Sequence, residues 1–307
     1  ATVGGMLMTL NEGGLQFLLA GARASVGITS GRYMFEAKIV ENQNQYDPTN
    51  GQVRAGASTT KNVLRMGFST ADGALLMGDS DDSICFDNEG NLLFNKKRTA
   101  VSQRFASGDT VAIVLNLDAA SPNANTISFF KDGKRIAQPQ ALPDSLKGKA
   151  LYPTVTFKQV SLHVNFGPHP HVALPFACAM VADAAQADAV VTPDPSPKDG
   201  VYQVVFPSLL PEEGSFDWLD WFLKQNPSFT EVSDRKIVDW AVKSGMWRPK
   251  PNPFKTSVDK PDINFGVPQL DDGSVKRILT AVSTVQQRNL VIMELKGNLM
   301  KQERTDA

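Results

Sequence analysis

The stretch VLRMGFS, from Val63 to Ser69, decides the fold of the N-terminal half of this chain. An extended backbone would place its three large apolar side chains on one face: Leu64, Met66 and Phe68. The opposite face carries the charge of Arg65 and the bare backbone of Gly67. This alternation predicts a central strand of a sandwich. It also predicts a carboxylate or carbonyl partner for the Arg65 guanidinium, because a cation among apolar neighbours must be satisfied.

The same period of two recurs on both sides of this stretch. Apolar residues alternate along three further segments: Tyr33 to Val40, Val111 to Leu117, and Val160 to Phe166. Asp132 and Gly133 supply the positive φ angles that a tight hairpin needs. No helical period of useful length precedes about Pro175. The pattern therefore predicts a mainly β protein with an antiparallel β-sandwich over residues 1–174.

Several blocks in this half, taken in order, resemble the SPRY domain family. The blocks are GRYMFEAKIV, VLRMGFS, MGDSDDSICFDNEGNLLFN, FASGDTVAIVLNLD, NTISFFKDGK and LYPTVTFKQVSLHVNFGP. Cys85 stands where the family pattern usually has glycine. The order of the blocks, the long loop after the first and the PF that follows NFG are most similar to the heterogeneous nuclear ribonucleoprotein U branch of the family.

The resemblance implies a binding module without catalytic residues, whose loops between strands grip a peptide or protein surface. A rigid pair of sheets suits this role because it holds the loops in place. The candidates are chosen by loop position. They are Tyr46, Asp47 and Arg54 in the long polar loop, Asp79 and Asp82 in an acidic turn, and Asn95 and Lys97 at a basic hairpin end.

The composition changes after the sandwich. Residues 175–214 are rich in alanine and proline and predict a linker, with a possible edge strand in VYQVVFP. Residues 215–307 hold all four tryptophans, at positions 218, 221, 240 and 247. Ser215 and Ser233 are placed to cap two short helices. We expect these helices to need a surface to pack on, because they are too short to be stable alone.

The last segment, from Gly273 to Arg304, shows a heptad pattern that predicts a terminal helix. Its apolar positions step by three and four residues through Val275, Ile278, Val282, Val285, Asn289, Ile292, Lys296 and Leu299. Either the helix packs on its own domain or it pairs with a partner as a coiled coil. We favour the partner, and predict a docking tail made of the four tryptophans with Ile278, Val282, Val285, Asn289 and Ile292.

Composition and motifs restrict the function classes. The net charge of −1 demands no polyanionic partner, and no apolar run approaches the roughly 18 residues that span a bilayer. The two cysteines form no disulfide framework, which predicts a soluble intracellular protein without distinguishing nucleus, cytoplasm or organelle interior. No phosphate-binding loop or zinc motif occurs. We therefore predict no catalytic residue, cofactor, metal or small-molecule substrate.

The sequence predicts a non-enzymatic scaffold protein, an accessory subunit of a larger complex. Its sandwich would present loops to one protein partner while its C-terminal helices dock into the assembly. The alternative is a ribonucleoprotein-associated factor that binds RNA, motivated by the similarity to the heterogeneous nuclear ribonucleoprotein U branch. The basic run at Lys96, Lys97 and Arg98 supports the alternative only weakly, since three charges beside an acidic turn are typical of an exposed hairpin end.

Overall fold

The structure is a computed structural model. It describes residues 4–10, 13–43, 61–193, 196–205, 215–246, 277–278, 281 and 288–293. The chain divides into two compact units, one formed by residues 1–10 and 19–193 and the other by residues 11–18 and 194–307.

The first unit is built almost entirely of strands. In the described residues these are β1 (Met6–Leu7), β2 (Ala20–Arg23), β3 (Val26–Ile28), β4 (Arg32–Asn42), β5 (Val63–Ser69), β6 (Ser83–Asp87), β7 (Asn91–Phe94), β8 (Lys97–Ala100), β9 (Thr110–Asn116), β10 (Thr126–Lys131), β11 (Lys134–Arg135), β12 (Gln140–Ala141), β13 (Tyr152–Lys158), β14 (Val160–Asn165), β15 (Ala179–Met180) and β16 (Ala189–Val191).

The strands form two antiparallel sheets that face each other. One sheet has the order β1-β14-β4-β9-β10-β11, with β12 on β10 and β15 parallel to β4, and the other has the order β2-β13-β5-β6-β7-β8. Aromatic side chains join the two inner faces. The ring centroids of Phe35 and Phe68 are 5.4 Å apart, and those of Phe86 and Phe129 are 4.7 Å apart. The predicted antiparallel sandwich is confirmed.

Strand β5 occupies the central position that its sequence predicts. Leu64, Met66 and Phe68 are buried in the core between the sheets. On the other face the Arg65 guanidinium donates to the carbonyl oxygen of Met77, so the predicted carbonyl partner exists. Gly67 lies so close to β6 that a Cβ atom there would be 2.0 Å from the carbonyl oxygen of Ile84.

The other strand predictions are confirmed as well. Strand β9 is buried on both faces, with Val111, Ile113 and Leu115 in the main core and Ala112 and Val114 in a second cluster. The predicted hairpin joins β10 to β11 through Asp132 and Gly133, whose φ angles are 48° and 76°.

Part of the predicted linker segment is built into the first unit. Strand β15 pairs with β4, and β16 pairs with β3 in a small two-stranded sheet. Single 3-10 turns lie between them at Val181–Asp183 and Gln186–Asp188. Asp188 ties this segment down, because its carboxylate accepts hydrogen bonds from Ser30 Oγ and, at 2.7 Å, from the Tyr33 hydroxyl.

The second unit contains a parallel sheet. Its described elements are a 3-10 turn (Leu15–Phe17), β17 (Gln203–Val205), α1 (Ser215–Gln225), β18 (Thr230–Ser233), α2 (Asp234–Lys243) and β19 (Asn289–Met293). The strand order is β17-β19-β18 with all strands parallel, and α1 connects the two outer strands. Parallel strands of one sheet need such a crossover connection, since a tight hairpin joins only antiparallel strands.

Both predicted helix starts and the predicted edge strand are found. Helix α1 begins at Ser215, the hydroxyl of Ser233 accepts from the Lys236 amide at the start of α2, and β17 is an outer strand of the parallel sheet. Apolar clusters pack the helices on the unit itself, one around Leu219 and Val291 and another around Ile237, Ala241 and Leu290. The docking interpretation did not predict this internal core.

The prediction of a heptad helix is wrong at Asn289 and Ile292. Both residues lie in β19, which pairs with strands on either side of it. Adjacent residues Leu290 and Val291 are both buried, as in a strand covered on two faces, and a short apolar run of this kind has no period that separates strand from helix. Val282, Val285 and Trp247 lie outside the described residues.

Candidate functional site

Three loops of the first unit meet in one surface, which we call the loop cluster: residues 70–82, 95–97 and 143–149. The amide of Asn95 donates to the carbonyl oxygen of Ser80 at 3.1 Å, and the amide of Lys96 donates to that of Gly78 at 2.8 Å. The hydroxyl of Ser145 donates to the carbonyl oxygen of Asp81 at 2.9 Å. Segments far apart in sequence are thus fixed to one another by hydrogen bonds.

Two arginines of the six-stranded sheet, on strands that flank β13, hold the first of these loops against the sheet. Arg23 on β2 donates to the carbonyl oxygen of Thr70 and, at 3.3 Å, to the hydroxyl of Ser69. Arg65 on β5 donates to the carbonyl oxygen of Met77. Burial lowers the pKa of Arg23, while the nearby carboxylates of Asp82 and Asp72 act to raise it. Each guanidinium replaces water as the partner of a loop carbonyl, which gives the loop a defined position.

The underside of the loop is apolar. Met77 is buried with Cys85 on β6 and Leu93 on β7 in a small cluster on the outer face of the sheet. Burial raises the pKa of the Cys85 thiol to about 12. The thiol is therefore protonated at neutral pH and acts as a small apolar side chain rather than as a nucleophile.

The basic end of the cluster is a two-residue hairpin turn between β7 and β8. Asn95 and Lys96 have φ angles of 45° and 63°. Two positive φ angles are typical of a type I′ turn, whose twist matches that of the flanking strands. Both side chains are exposed, and so is Lys97 at the start of β8. The turn presents two cations without an ion pair within the described chain.

The acidic side of the cluster lies in the 70–82 loop. Asp82 is half-buried, and its carboxylate accepts from the Ala74 amide at 3.0 Å and from the Ser80 hydroxyl. Asp79 and Asp81 are exposed. Asp82 therefore shapes the loop, whereas Asp79 presents its charge to solvent. The surface carries both signs of charge side by side, a pattern that favours a protein surface over a uniform polyanion.

The structure brings together four of the predicted binding residues: Asp79, Asp82, Asn95 and Lys97. Tyr46, Asp47 and Arg54 lie outside the described residues. Sequence reasoning predicted the carbonyl partner of Arg65 but missed Arg23 and Ser145. No local signal marks Arg23 or Ser145, because their partners lie 46 to 64 residues away in sequence.

The predicted docking residues of the second unit mostly face inward. Trp218 stacks on Phe222 with ring centroids 5.2 Å apart, Trp240 packs on the cluster around Ile237, and Ile278 is buried there. Trp221 differs, because it is 58% exposed on the outer side of α1. Of the docking residues in the described part of the unit, Trp221 alone presents a large apolar surface to solvent.

Other kinds of site find less support. An apolar cleft of about 190 Å³ lies between the sheets at Leu7, Phe35 and Phe166, smaller than the roughly 300 Å³ at which ligand pockets begin. Its one charged lining residue, Arg23, is already engaged with the 70–82 loop. Within the described ranges no three ligating side chains converge on a metal position, and no helix is long and apolar enough to cross a membrane.

No family model matches the chain. Two solved SPRY domains are similar: that of human HERC1, with a TM-score of 0.37 and 20% identity over 54% of this chain and 97% of that domain, and a human SPRY domain with a TM-score of 0.39 and 18% identity over 55% and 96%. The predicted resemblance is thus confirmed.

Two curated relatives match a part of the chain that is longer than the first unit. Heterogeneous nuclear ribonucleoprotein U-like protein 2 from Homo sapiens, and the protein of that name from Mus musculus, are each 24% identical over 241 residues. Each match covers 77% of this chain and 31% of the relative, so the chain spans about a third of their length. Since the first unit ends at Pro193 of 307 residues, the match reaches into the second unit.

Proposed function

We propose that this SPRY-like chain is a non-enzymatic interaction protein whose loop cluster binds a protein partner. One observation carries the proposal: three loops distant in sequence are joined by hydrogen bonds into an exposed surface with both signs of charge. Such a surface needs little ordering on binding, so less free energy is lost to loop entropy. Asp79, Asn95 and Lys97 are its exposed contacts, and Asp82 fixes the loop that carries Asp79.

Site-specific photo-crosslinking tests this proposal. A photoreactive phenylalanine analogue replaces Asn95 in one variant and Ala119, exposed in a separate turn, in a control variant. We expect the Asn95 variant to give a discrete protein adduct that excess unmodified chain competes away and ribonuclease leaves intact. Adducts of equal intensity at both positions, or adducts made only of RNA, would contradict the proposal.

We further propose that the second unit attaches the protein to a larger assembly as an accessory subunit, through Trp221. The exposed indole on α1 is the support for this part, since aromatic side chains at such positions often anchor interfaces. Trp221→Ala should leave the unfolding midpoint of the chain unchanged and lower its co-sedimentation with the assembly at least about tenfold. The control Lys224→Ala, on the same helix, should change neither. Unchanged co-sedimentation of the Trp221 variant would remove this part of the proposal.

A second candidate function is association with ribonucleoprotein. It rests on the name of the curated relatives, heterogeneous nuclear ribonucleoprotein U-like protein 2. Ultraviolet crosslinking of the purified chain to single-stranded RNA tests it directly. A crosslink that weakens steeply with salt and requires Lys96 and Lys97 would favour this candidate, whereas a chain that recovers no RNA at physiological salt would exclude direct RNA binding.

A further inference from the structure

We propose that strand β8 is an open sheet edge that pairs with an acidic, extended segment of a partner protein. This inference deepens the proposed function, because it names the chemistry that the basic end of the loop cluster would recognise. Strand β8 ends the six-stranded sheet, and all four of its residues, Lys97 to Ala100, are exposed. The binding would run through main-chain hydrogen bonds, as in strand addition to other sheets.

The register of the hairpin shows which backbone groups are available. The two-residue turn makes Phe94 and Lys97 a hydrogen-bonded pair, so hydrogen-bonded pairs recur at every second residue. The amide of Val101 donates to Gly90 at 3.1 Å, which agrees with that phase. Arg98 and Ala100 therefore direct their amide and carbonyl groups away from β7, and no described residue bonds to them there.

Contacts of the Asp87 carboxylate hold the hairpin that carries the edge. The Arg98 guanidinium lies 2.6 Å from the Asp87 carboxylate, which also accepts from the amides of Glu89 and Asn91. The hairpin is thus fixed at both ends, by its turn and by the network at Asp87. Among the described residues none hydrogen-bonds to the outward backbone groups of β8, which ends the six-stranded sheet.

The charge of the edge selects the partner. Lys96, Lys97 and Arg98 give the strand end three adjacent positive charges, and Arg98 alone has an ion pair among the described residues. Lysines at an edge discourage pairing with apolar strands and with a second copy, since like charges would face each other. A partner strand with a carboxylate opposite Lys97 would instead form an attractive charge pair. An acidic segment with β-forming residues is the occupant that fits.

Defined peptides test the inference by fluorescence anisotropy with the full chain. The probe is a labelled twelve-residue peptide of alternating Glu and Val. The first comparison peptide replaces Glu by Lys, and the second keeps the Glu–Val sequence but carries N-methyl groups on alternate amides, so that it cannot pair as a strand. We expect only the first probe to bind, with a dissociation constant below about 1 mM.

Two variants separate the backbone contribution from the charge contribution. Ala100→Pro removes one outward amide and leaves the pairing with β7 intact, because proline is tolerated on the open side of an edge strand. Lys97→Glu reverses the charge. Each should weaken binding at least about fivefold, as expected from losing a hydrogen bond or an opposite-charge pair. The matched controls are Ala119→Pro, at the second position of an exposed turn, and Lys134→Glu on β11, and both should bind like the unmodified chain.

Several results would overturn the inference. Binding that survives Ala100→Pro, equal binding of the Lys peptide or the N-methylated peptide, or no binding at 1 mM peptide would each do so, and so would an edge that takes up single-stranded RNA but not the Glu–Val peptide. If the peptide fails while a protein adduct still forms at Asn95, the inference is wrong and the proposed function stands. If both fail, the proposed function falls as well.

Discussion

Gly67 shows how one residue can fix the spacing of two strands. A Cβ atom there would lie 2.0 Å from the Ile84 carbonyl oxygen, a separation that no side-chain movement relieves because the neighbour is backbone. The glycine in VLRMGFS is therefore a packing requirement of β5 and β6. It also lies beside Arg65, whose contact with Met77 holds the loop cluster, so the core and the candidate site meet at this strand.

We expect Gly67→Ala to lower the free energy of unfolding of the first unit by about 3 kcal/mol, because an overpacked strand must shift its neighbour. Urea unfolding followed by far-ultraviolet circular dichroism measures the change, because the first unit contains no tryptophan whose fluorescence could report it. Gly148→Ala is the control, since that position has a positive φ but open space around it, and should cost only about 1 kcal/mol. Equal losses in the two variants would contradict the close approach of β5 and β6.

Asp188 provides a prediction about pH. Hydrogen bonds from Ser30 and Tyr33 lower the pKa of this carboxyl below its ordinary value of 3.8. A group with a lowered folded-state pKa stabilises the fold above its unfolded pKa and loses that contribution as pH falls through the folded value. Asp188→Asn should therefore be less stable than the unmodified chain at pH 7, and the difference should shrink below about pH 4.

Denaturant unfolding of both proteins at pH 7 and at pH 3.5 checks this expectation. Asp183→Asn, an exposed carboxylate in the same segment, is the control and should show little difference at either pH. A gap between the Asp188 variant and the unmodified chain that stays constant or widens in acid would show that Asp188 does not stabilise the segment through its charge.

At the scale of elements, the periodic spacing of apolar residues decided which strands and helices the sequence could predict. The strands of the sandwich alternate clearly, and the Asp132-Gly133 turn and the Ser233 cap carry residue types with specific backbone roles. Those elements were predicted correctly. NLVIM in β19 has no such period, because a strand buried on both faces is apolar at every position. Its pairing with β17 and β18 comes from residues more than fifty positions away, which no local pattern contains.

The residues of the candidate site also fall into those that the sequence predicted and those that it did not. Loop position alone picked out Asp79, Asp82, Asn95 and Lys97, and the structure places them in one surface. The anchors Arg23 and Ser145 were missed because an arginine or serine in a loop-rich sequence gives no sign of a carbonyl partner far along the chain. Long-range hydrogen bonds, rather than composition, make the loop cluster a defined surface.

Strand β19 gives the element-scale prediction. Val291 is fully buried between α1 and the sheet neighbours of its cluster, so Val291→Asp would bury an unpaired charge and should unfold the second unit. Limited trypsin digestion with mass analysis should then show rapid loss of fragments from the second unit while fragments of the first persist. Val204→Asp, half-exposed on the outer strand β17, is the control and should remain resistant. A resistant Val291 variant would contradict the central place of β19.

At the scale of the whole molecule, two compact units with separate apolar clusters make up the chain. The second unit therefore has apolar clusters of its own and is more than a helical tail. Its exposed Trp221 is the residue on which the docking proposal rests. We expect calorimetry to show two unfolding transitions, because domains with separate cores unfold as separate cooperative units. Phe68→Ala should lower the free energy of unfolding of the first unit by about 3 to 5 kcal/mol and leave the transition of the second unit unchanged. A single transition that the variant shifts as a whole would show that the units unfold together.

Hydrogen–deuterium exchange, with and without the partner captured at Asn95, shows whether that partner binds the loop cluster. We expect new protection at residues 70–82 and 95–100, with exchange in the sandwich core unchanged. Protection at the 143–149 loop would follow from its hydrogen bond to Asp81. Protection confined to the second unit, with the loop cluster exchanging as fast as in the unbound chain, would show that the loop cluster is not the binding surface.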